Sequence, residues 1–416
     1  MFFYRHYSFL KSVFFHSLTA FGGAQGHLGL VIKTFVDKRK DITNDELMEY
    51  VSFAQILPGA SSTQVLTLIG YKRGGVPLAV ISLLIWVFPA CFIMGLFSFL
   101  ITGLSSYHLN NGIFKFIQPM AIGFLAFAGL KAFKISINNI ITFILFLCSF
   151  LLIFIFFKTP WIFPTLIVLG GIVTNFSNKR IPAKETVKPK NIRWSNLWLF
   201  ISIFLIAGLL SEMSRKQEWD NRKAFNLFEN FYRFGSIVFG GSDVLIPLIV
   251  DQYVARPTAE KFQDAKQGFI KLEKSELLTG AGFVRAIPGP VFSIASFTGG
   301  IALKDKGIMY QVLGCTLGAL GIFLPSALLV LFFFPVWQLF KKYVIVFRAL
   351  EGINAVVVGV MFAGTFYLLK DIPFNNFSVE GLLSFLVILL TVILLRYTKT
   401  PPPFIVAFSL FLGLLF

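Results

Sequence analysis

Residues 54–64 read AQILPGASSTQ, and this stretch interrupts a long apolar segment with a proline, a glycine and three successive hydroxyl side chains. Proline has no backbone N–H and clashes with the preceding helical turn, so a helix that crosses this stretch breaks at Pro58. A helix that starts again after Pro58-Gly59 exposes the N–H groups of residues 60–62, and such a terminus attracts anions. The stretch therefore predicts an anion-binding helix end. The alternative is a simple proline kink whose hydroxyls bond carbonyls one turn back.

The same pattern occurs a second time, in the same order, in the other half of the chain. Residues 285–293 read RAIPGPVFS and repeat the Pro-Gly break. Three further pairs of motifs accompany it: Phe21-Gly22-Gly23 with Phe239-Gly240-Gly241, Phe88-Pro89-Ala90 with Leu324-Pro325-Ser326, and Lys158-Thr159-Pro160 with Lys399-Thr400-Pro401. Two related halves with helix-breaking residues inside apolar runs predict a secondary transporter whose site lies at the interface of two repeats.

Composition indicates a membrane protein. Hydrophobic residues make up 56% of the chain and charged residues only 14%, with 52 phenylalanines, whereas soluble domains carry about 25% charged residues. Runs such as 76–100 reach the length of about 20 residues that a spanning helix needs. They are continuously apolar, which excludes the alternating pattern of a β-barrel. We assign the net charge of +17 to orienting loops and expect no nucleic-acid partner.

We predict an all-α polytopic membrane protein with two inverted homologous repeats of about six helices each, one linking transmembrane helix, and broken helices at mid-membrane. The predicted domains are a first repeat, a basic linker with the extra helix at 195–210, and a second repeat, at 1–177, 178–224 and 225–416. The predicted helices lie at 10–36, 49–71, 76–101, 113–134, 137–157 and 161–176 in the first repeat, and at 225–250, 276–302, 308–334, 345–369, 377–396 and 401–416 in the second.

Loop charge predicts the orientation. With a cytoplasmic N-terminus, thirteen spans place 22 lysines and arginines in cytoplasmic loops and 11 in outer loops, as the positive-inside rule requires. Because one extra span separates six from six, the second repeat then enters the membrane upside down relative to the first. The alternative is that the second helix of each half is a re-entrant hairpin at its Pro-Gly break. The repeats would then be parallel, and Lys72 and Arg73 would lie outside.

Arg285 is the strongest single candidate for substrate contact. An arginine at membrane depth costs about 2.5–3.5 kcal/mol on insertion scales, and its guanidinium can hold an oxyanion in two-pronged fashion. Its counterpart in the first half is Gln55. Two roles remain open for Arg285, an ion pair with Asp243 and direct contact with substrate, and a pair that opens on binding would combine them.

The Gly-Gly motifs either allow close helix packing or mark unwound backbone. His27 is either a core residue or a proton-coupling site. The candidate substrate-binding residues are Gly22, Gly23, His27, Gln55, Pro58, Gly59, Ser61, Ser62, Thr63, Gly240, Gly241, Ser242, Asp243, Arg285, Pro288, Gly289, Pro290 and Ser293.

The motifs resemble those of the chromate ion transporter family, in its long two-domain form. Members carry Phe-Gly-Gly in the first helix, a Pro-Gly-Pro-like break in the second and a Gly-Tyr-Arg-like loop after it, which here is Gly70-Tyr71-Lys72-Arg73. The resemblance covers nearly the whole chain and implies halves of opposite orientation. Three positions depart from it. Members often have His where Asp243 stands and Gln where Arg285 stands, which suggests a compensating charge pair, and Ala60 replaces a second proline.

These observations predict a transporter of a tetrahedral oxyanion, with chromate efflux as the activity and sulfate as a related substrate or competitor. The alternatives are a small-anion channel and a membrane-embedded enzyme that acts on phosphate-headed lipids. No Walker, HExxH or Gly-x-Ser-x-Gly motif occurs, so we expect no enzyme, no cofactor and no metal site. The expected location is the inner membrane, as a multi-pass protein in contact with the lipid bilayer. A proton or another ion is the candidate for coupling, and a homodimer is a candidate assembly.

Overall fold

The computed structural model describes residues 2–21, 23–106, 111–156, 159, 161–176, 194–239, 241, 243–258, 269–337, 344–370, 379–398 and 400–415. All the regular structure within these ranges is helical. Sixteen α-helices are described: α1 Phe2–Thr19, α2 Gly23–Val31, α3 Asn44–Ala54, α4 Ser61–Ser106, α5 Ile117–Ser136, α6 Ile140–Ile155, α7 Ile162–Val173, α8 Ser195–Lys216, α9 Arg222–Ile237, α10 Leu245–Val250, α11 Lys274–Phe283, α12 Ile294–Leu303, α13 Ile308–Phe333, α14 Val344–Leu369, α15 Val379–Tyr397 and α16 Pro402–Leu415.

The first two predicted helices of each repeat are divided in the structure. The predicted helix 10–36 corresponds to α1, α2 and the π-helical segment Ile32–Lys38 that follows α2, and the predicted helix 225–250 corresponds to α9 and α10. Each of these two predicted segments is therefore divided into two α-helices in the structure. The breaks fall at the two Phe-Gly-Gly motifs, where glycine disfavours the helical interior. The sequence left two roles open for these motifs, close helix packing and unwound backbone. The structure shows unwound backbone next to both motifs.

The interruptions at the two Pro-Gly motifs are confirmed. In the first repeat α3 ends at Ala54 and α4 begins at Ser61. In the second repeat α11 ends at Phe283, a 3₁₀ turn covers Val291–Ser293, and α12 follows it. The predicted boundary between 71 and 76 is a kink inside α4 at Gly74 and Gly75, where the backbone leaves the helical region. The extra apolar segment predicted at 195–210 is the helix α8.

The chain forms two compact units, and each takes segments from both repeats. The described residues of the first unit fall within Met1–Leu104, Lys188–Gly241 and Val284–Gln338, and those of the second within Ser105–Val187, Ser242–Phe283 and Leu339–Phe416. In the first unit α13 packs against α12, α9 and α8, and in the second α14 packs against α5, α6 and α7. The predicted domain boundaries separate the two sequence repeats, whereas each compact unit combines helices from both repeats.

Six of the described helical stretches are long and apolar enough to cross a membrane, and four shorter apolar helices accompany them. On α4 the exposed side chains include Leu84, Phe88, Phe92, Leu96 and Leu100, which recur every four residues and so share one helix face. A soluble protein rarely exposes such a continuous apolar stripe. The fold is thus that of a polytopic helical membrane protein, with the stripe suited to acyl chains.

Candidate functional site

The first Pro-Gly break is a tight turn that sets up the start of α4. Gly59 has a φ of +115°, a conformation that residues with a Cβ rarely adopt. Gln64 is the first residue of α4 whose amide reaches back by four residues, to the carbonyl of Ala60. The amides of residues 61–63 therefore precede the helical ladder and form its donor end, one residue later than the residues 60–62 that the sequence predicts.

The second Pro-Gly break has the same backbone geometry. Gly289 has a φ of +105°, and Pro290 leads into the 3₁₀ turn Val291–Ser293 before α12 begins. Gly289, Pro290 and Ser293 are buried, while Pro288 is partly exposed. The two breaks are thus equivalent turns, each of which starts a new helix in the first compact unit.

Each break is hydrogen-bonded to the other repeat, in a reciprocal pattern. The amide of Gly59 donates to the carbonyl of Val238 at 2.7 Å, and the amide of Gly289 donates to the carbonyl of Ala20 at 2.9 Å. Ala20 directly precedes Phe21-Gly22-Gly23, and Val238 directly precedes Phe239-Gly240-Gly241. Each Pro-Gly turn therefore ties itself to the unwound Phe-Gly-Gly end of the opposite repeat, as a two-fold relation between repeats would produce.

The duplicated motifs Phe88-Pro89-Ala90 and Leu324-Pro325-Ser326 pack against the same two glycines. A Cβ on Gly59 would lie 2.7 Å from Cβ of Ser326, and a Cβ on Gly289 would lie 2.9 Å from Cβ of Ala90. Ser326 follows Pro325 and Ala90 follows Pro89, so these are equivalent residues of the two repeats. No side chain fits at either glycine, since packed interiors leave no room for an added atom at such distances.

Hydroxyl groups line the start of α4, and two of them have partners. The hydroxyl oxygen of Ser62 lies 3.1 Å from Nδ1 of His27. Nε1 of Trp86 donates to the hydroxyl of Thr63 at 3.0 Å. Thr63 is buried, whereas Ser61 and Ser62 are partly exposed. Ser61 and Ser62 are therefore the hydroxyls best placed to contact a ligand, and Thr63 holds Trp86 in place.

A short chain of contacts joins the two breaks through His27. Its ring contacts Ser62 on one side, and the carbonyl of Ala20 faces the same ring. That carbonyl accepts the amide hydrogen of Gly289. His27 thus lies between the hydroxyl end of one break and the carbonyl to which the turn of the other break is bonded.

Gln55 and Arg285 occupy equivalent places beside the two breaks. Gln55 caps the C-terminus of α3 and is exposed, and Arg285 is partly exposed two residues beyond the end of α11. Asp243 belongs to the second compact unit and Arg285 to the first. Within its own unit Asp243 interacts electrostatically with Lys131 on α5. The Arg285–Asp243 pair remains a prediction.

The Gly-Gly candidates are described only in part. Gly23 opens α2, and Gly241 has a φ of +103° in the segment between α9 and α10. The candidates Gly22, Gly240 and Ser242 lie outside the described residues. Unwound backbone on either side of these positions agrees with a role in offering backbone groups to a ligand.

Three further residues belong to this region that sequence reasoning did not single out. Gln64 is buried, and its Nε2 donates to the carbonyl of Pro58 at 2.7 Å and to the hydroxyl of Ser326 at 2.9 Å. Trp86 and His16 pack beside His27, with Trp86 in contact with both histidine rings. The sequence could have pointed to Gln64, because it is a polar residue at the end of the stretch 54–64 in an apolar segment. No sequence pattern pointed to Trp86 or His16.

The fold and this arrangement define a class, that of a helical membrane transport protein built from two repeats with broken helices. The family model described as "Chromate transporter" matches residues 7–175 and 225–414, one segment in each half. The chain therefore belongs to the chromate transporter family, a transport family and not an enzymatic one, which confirms the resemblance seen in the motifs.

Similar proteins extend over nearly the whole chain. An uncharacterized transporter of Methanocaldococcus jannaschii is 25% identical, with 98% of this chain and 92% of that protein covered. A chromate transport protein of Cupriavidus metallidurans is 21% identical, with 95% and 89% covered. An uncharacterized transporter of Bacillus subtilis is 31% identical over 36% of this chain and 77% of its own length. No solved structure matches the chain.

Proposed function

We propose that this protein is a secondary transporter of a tetrahedral oxyanion, that chromate is transported outward, and that sulfate is a related substrate or competitor. The reciprocal bonds from Gly59 to Val238 and from Gly289 to Ala20 carry the proposal. They tie each of two helix starts in the first compact unit to the opposite repeat. Each start offers amide donors and a partial positive charge to an anion.

Several groups would hold the anion. The amides of residues 61–63 and the hydroxyls of Ser61 and Ser62 supply neutral donors, which suit an oxyanion with four acceptor oxygens. Arg285 supplies the positive charge and can donate two parallel hydrogen bonds to one oxyanion. A dianion in a membrane protein needs such compensation, because a charge away from water is costly unless it is paired.

The membrane potential supports the outward direction. Each charge moved across the membrane is worth about 2.3 kcal/mol per 100 mV. A dianion inside a negative cell is therefore driven outward by about 4–5 kcal/mol at that potential. Efflux needs no chemical fuel on this basis. Location in the inner membrane with a cytoplasmic N-terminus belongs to the same proposal and is supported by the loop charges.

The relative named as a chromate transport protein supports chromate as the substrate. A small-anion channel is the second candidate. The membrane enzyme on lipid phosphates is set aside, because the chain belongs to a transport family.

Chromate counterflow in liposomes tests the proposal. Purified protein is reconstituted with unlabelled chromate inside, and the accumulation of radiolabelled chromate is followed. Transient accumulation indicates a carrier and supports the proposal, while a steady conductance without accumulation indicates a channel and contradicts it. Competition by sulfate, molybdate and phosphate then ranks the substrates, and protein-free liposomes provide the background.

A further inference from the structure

Two buried histidines face one tryptophan in the first compact unit. His16 on α1 is 3% exposed and His27 on α2 is 2% exposed. The ring centroid of Trp86 on α4 lies 5.1 Å from that of His16 and 5.3 Å from that of His27. The three rings therefore form an enclosed cluster beside the hydroxyl end of the first break.

Each histidine of this cluster has one ring nitrogen without a hydrogen bond. Within the described residues, Nδ1 of His16 and Nε2 of His27 are buried and make none. Buried polar atoms are nearly always hydrogen-bonded, so two such nitrogens in one cluster need an explanation. A purely structural core position would be filled at lower cost by an apolar ring, because burial of an unpaired polar group is unfavourable.

His27 occupies the position where protonation would affect both breaks. Its Nδ1 lies 3.1 Å from the hydroxyl oxygen of Ser62. A second ring proton would give it a donor on each nitrogen. The backbone of Ala20, whose carbonyl accepts from Gly289, interacts with the ring. The charge state of His27 is thereby connected to the bond that ties the two repeats.

The surroundings contain no built-in counter-charge for an imidazolium among the described contacts. On α1 and α2 the titratable groups that act on the pair are the two histidines themselves. Across the cluster, Trp86 and Ser62 on α4 and Phe35 on the π-helical segment Ile32–Lys38 after α2 are neutral. The nearest charged group along this path is the ion cluster of Arg39, Asp41 and Arg73, which is connected to His16 through Phe9 and Phe35. The loop that carries Gly289 also carries Arg285.

We propose that His16 and His27 form the binding site for one proton that travels with the oxyanion. The proposal rests on the proposed function. The proton binds at the ring nitrogens that lack hydrogen bonds, and the dianion at the start of α4 supplies the counter-charge. The positive charge on a protonated histidine and the negative charge of the anion attract each other. Anion binding therefore favours protonation, and protonation favours anion binding, as reciprocal linkage requires. The complex then carries one net negative charge, which halves the effect of the membrane potential on transport.

A vesicle measurement tests the coupling directly. Proteoliposomes contain a pH-sensitive dye, the potential is clamped at zero with potassium and valinomycin, and a chromate gradient is imposed at a pH where chromate is the dianion. We expect about one proton to move with each chromate in the wild type. In His16→Gln and His27→Gln, we expect whatever chromate flux remains to move without protons. His6→Gln, which removes another buried histidine of α1, should keep the wild-type ratio. Wild-type chromate flux without any dye response would overturn the proposal.

A second measurement needs no transport. Because both rings contact Trp86, protonation of either should quench its emission. Tryptophan fluorescence of the full chain in lipid nanodiscs is followed from about pH 8 to about pH 5, with and without sulfate as the probe anion. We expect a quench that begins at higher pH with sulfate present and that is absent in the His16→Gln/His27→Gln variant. Identical titrations of wild type and double variant would overturn the proton site.

The two measurements separate the two proposals. Absence of chromate flux in the wild type contradicts the oxyanion transporter, and the fluorescence titration still decides whether the histidines bind a proton. Chromate flux with no proton movement contradicts the coupling and leaves the transporter intact.

Discussion

The amide of Gly289 donates a hydrogen bond of 2.9 Å to the carbonyl of Ala20, and so joins the break of the second repeat to the end of α1 in the first. The equivalent bond, from Gly59 to Val238, runs the other way. In each turn the proline before the glycine has no N–H, which makes the glycine amide the first donor available. Relative motion of the repeats would act on both bonds, which makes them a natural control point for alternating access.

The two glycines should not tolerate any side chain. Gly59→Ala and Gly289→Ala combine a strained positive φ, worth about 1–3 kcal/mol, with contacts closer than packed atoms allow. We expect lower thermal midpoints in detergent and little chromate counterflow for both variants. Ser326→Gly should partly restore Gly59→Ala, because it removes the contacting side chain.

A matched control for the glycine variants lies on α4. An added Cβ at Gly103 would meet nothing within 4 Å, so Gly103→Ala should keep the wild-type midpoint or raise it, since alanine is the better helix former. Unchanged midpoints in both Pro-Gly variants would show that the turns can relax, and would weaken the case for them as a fixed framework.

Gln64 should contribute measurably to stability. Its Nε2 satisfies the buried carbonyl of Pro58 and binds the hydroxyl of Ser326. Gln64→Leu leaves that carbonyl without its donor, at a cost of about 1–3 kcal/mol. Ser326→Ala removes only one of the two bonds and should cost less. Thermal unfolding of purified protein checks the order wild type, Ser326→Ala, Gln64→Leu, and equal midpoints for all three would contradict the assigned role.

Local sequence predicted the breaks but not what they touch. The breaks at Pro58 and Pro288 can be predicted from the sequence because proline disfavours a continuous helix. The partners Val238 and Ala20 lie in the opposite repeat, and no local pattern specifies a contact across that separation. The Phe-Gly-Gly motifs allowed either packing or unwinding, since glycine is compatible with both. Each compact unit contains helices from both repeats. This grouping follows from long-range contacts of the same kind and could not be predicted from local sequence either.

The role of Gln64 was hidden for a related reason. Gln64 is a polar residue within the stretch 54–64, which made it a possible site residue. The neighbouring hydroxyl side chains were better candidates, because an anion site at a helix start needs hydrogen-bond donors. Its actual partners, the carbonyl of Pro58 and the hydroxyl of Ser326, become apparent only when the turn has folded back on itself.

Arg285 should determine anion affinity more than folding. It is partly exposed on the loop next to the second break, and a charge-assisted hydrogen bond is worth about 1.5–3 kcal/mol. Arg285→Gln should therefore lower kcat/KM for chromate about tenfold or more, with an unchanged thermal midpoint. Arg285→Lys should retain part of the activity, because it keeps the charge but loses the planar fork.

The control for Arg285 removes an arginine elsewhere. Arg215 pairs with Glu212 at 2.7 Å near the end of α8, where both side chains are 45% exposed. Arg215→Gln should leave chromate kinetics unchanged, because exposed ion pairs contribute little. Equal kinetic losses in both variants would indicate a general effect of net charge instead of a binding role for Arg285.

The orientation of the repeats is decided by two corresponding positions. Lys72 lies after the first Pro-Gly break and Lys306 after the second, and both are exposed. The reciprocal bonds of Gly59 and Gly289 require a two-fold relation but fit an axis in the membrane plane or along its normal equally well. Inverted repeats place the two lysines on opposite sides, and parallel repeats with re-entrant hairpins place them on the same side. In a background without Cys91, Cys148 and Cys315, we expect a membrane-impermeant maleimide to label Lys306→Cys from outside intact cells and Lys72→Cys only after lysis. Labelling of both from outside would establish parallel repeats and re-entrant second segments, and would move the candidate anion site of Ser61 and Ser62 from a broken spanning helix to the tip of a hairpin.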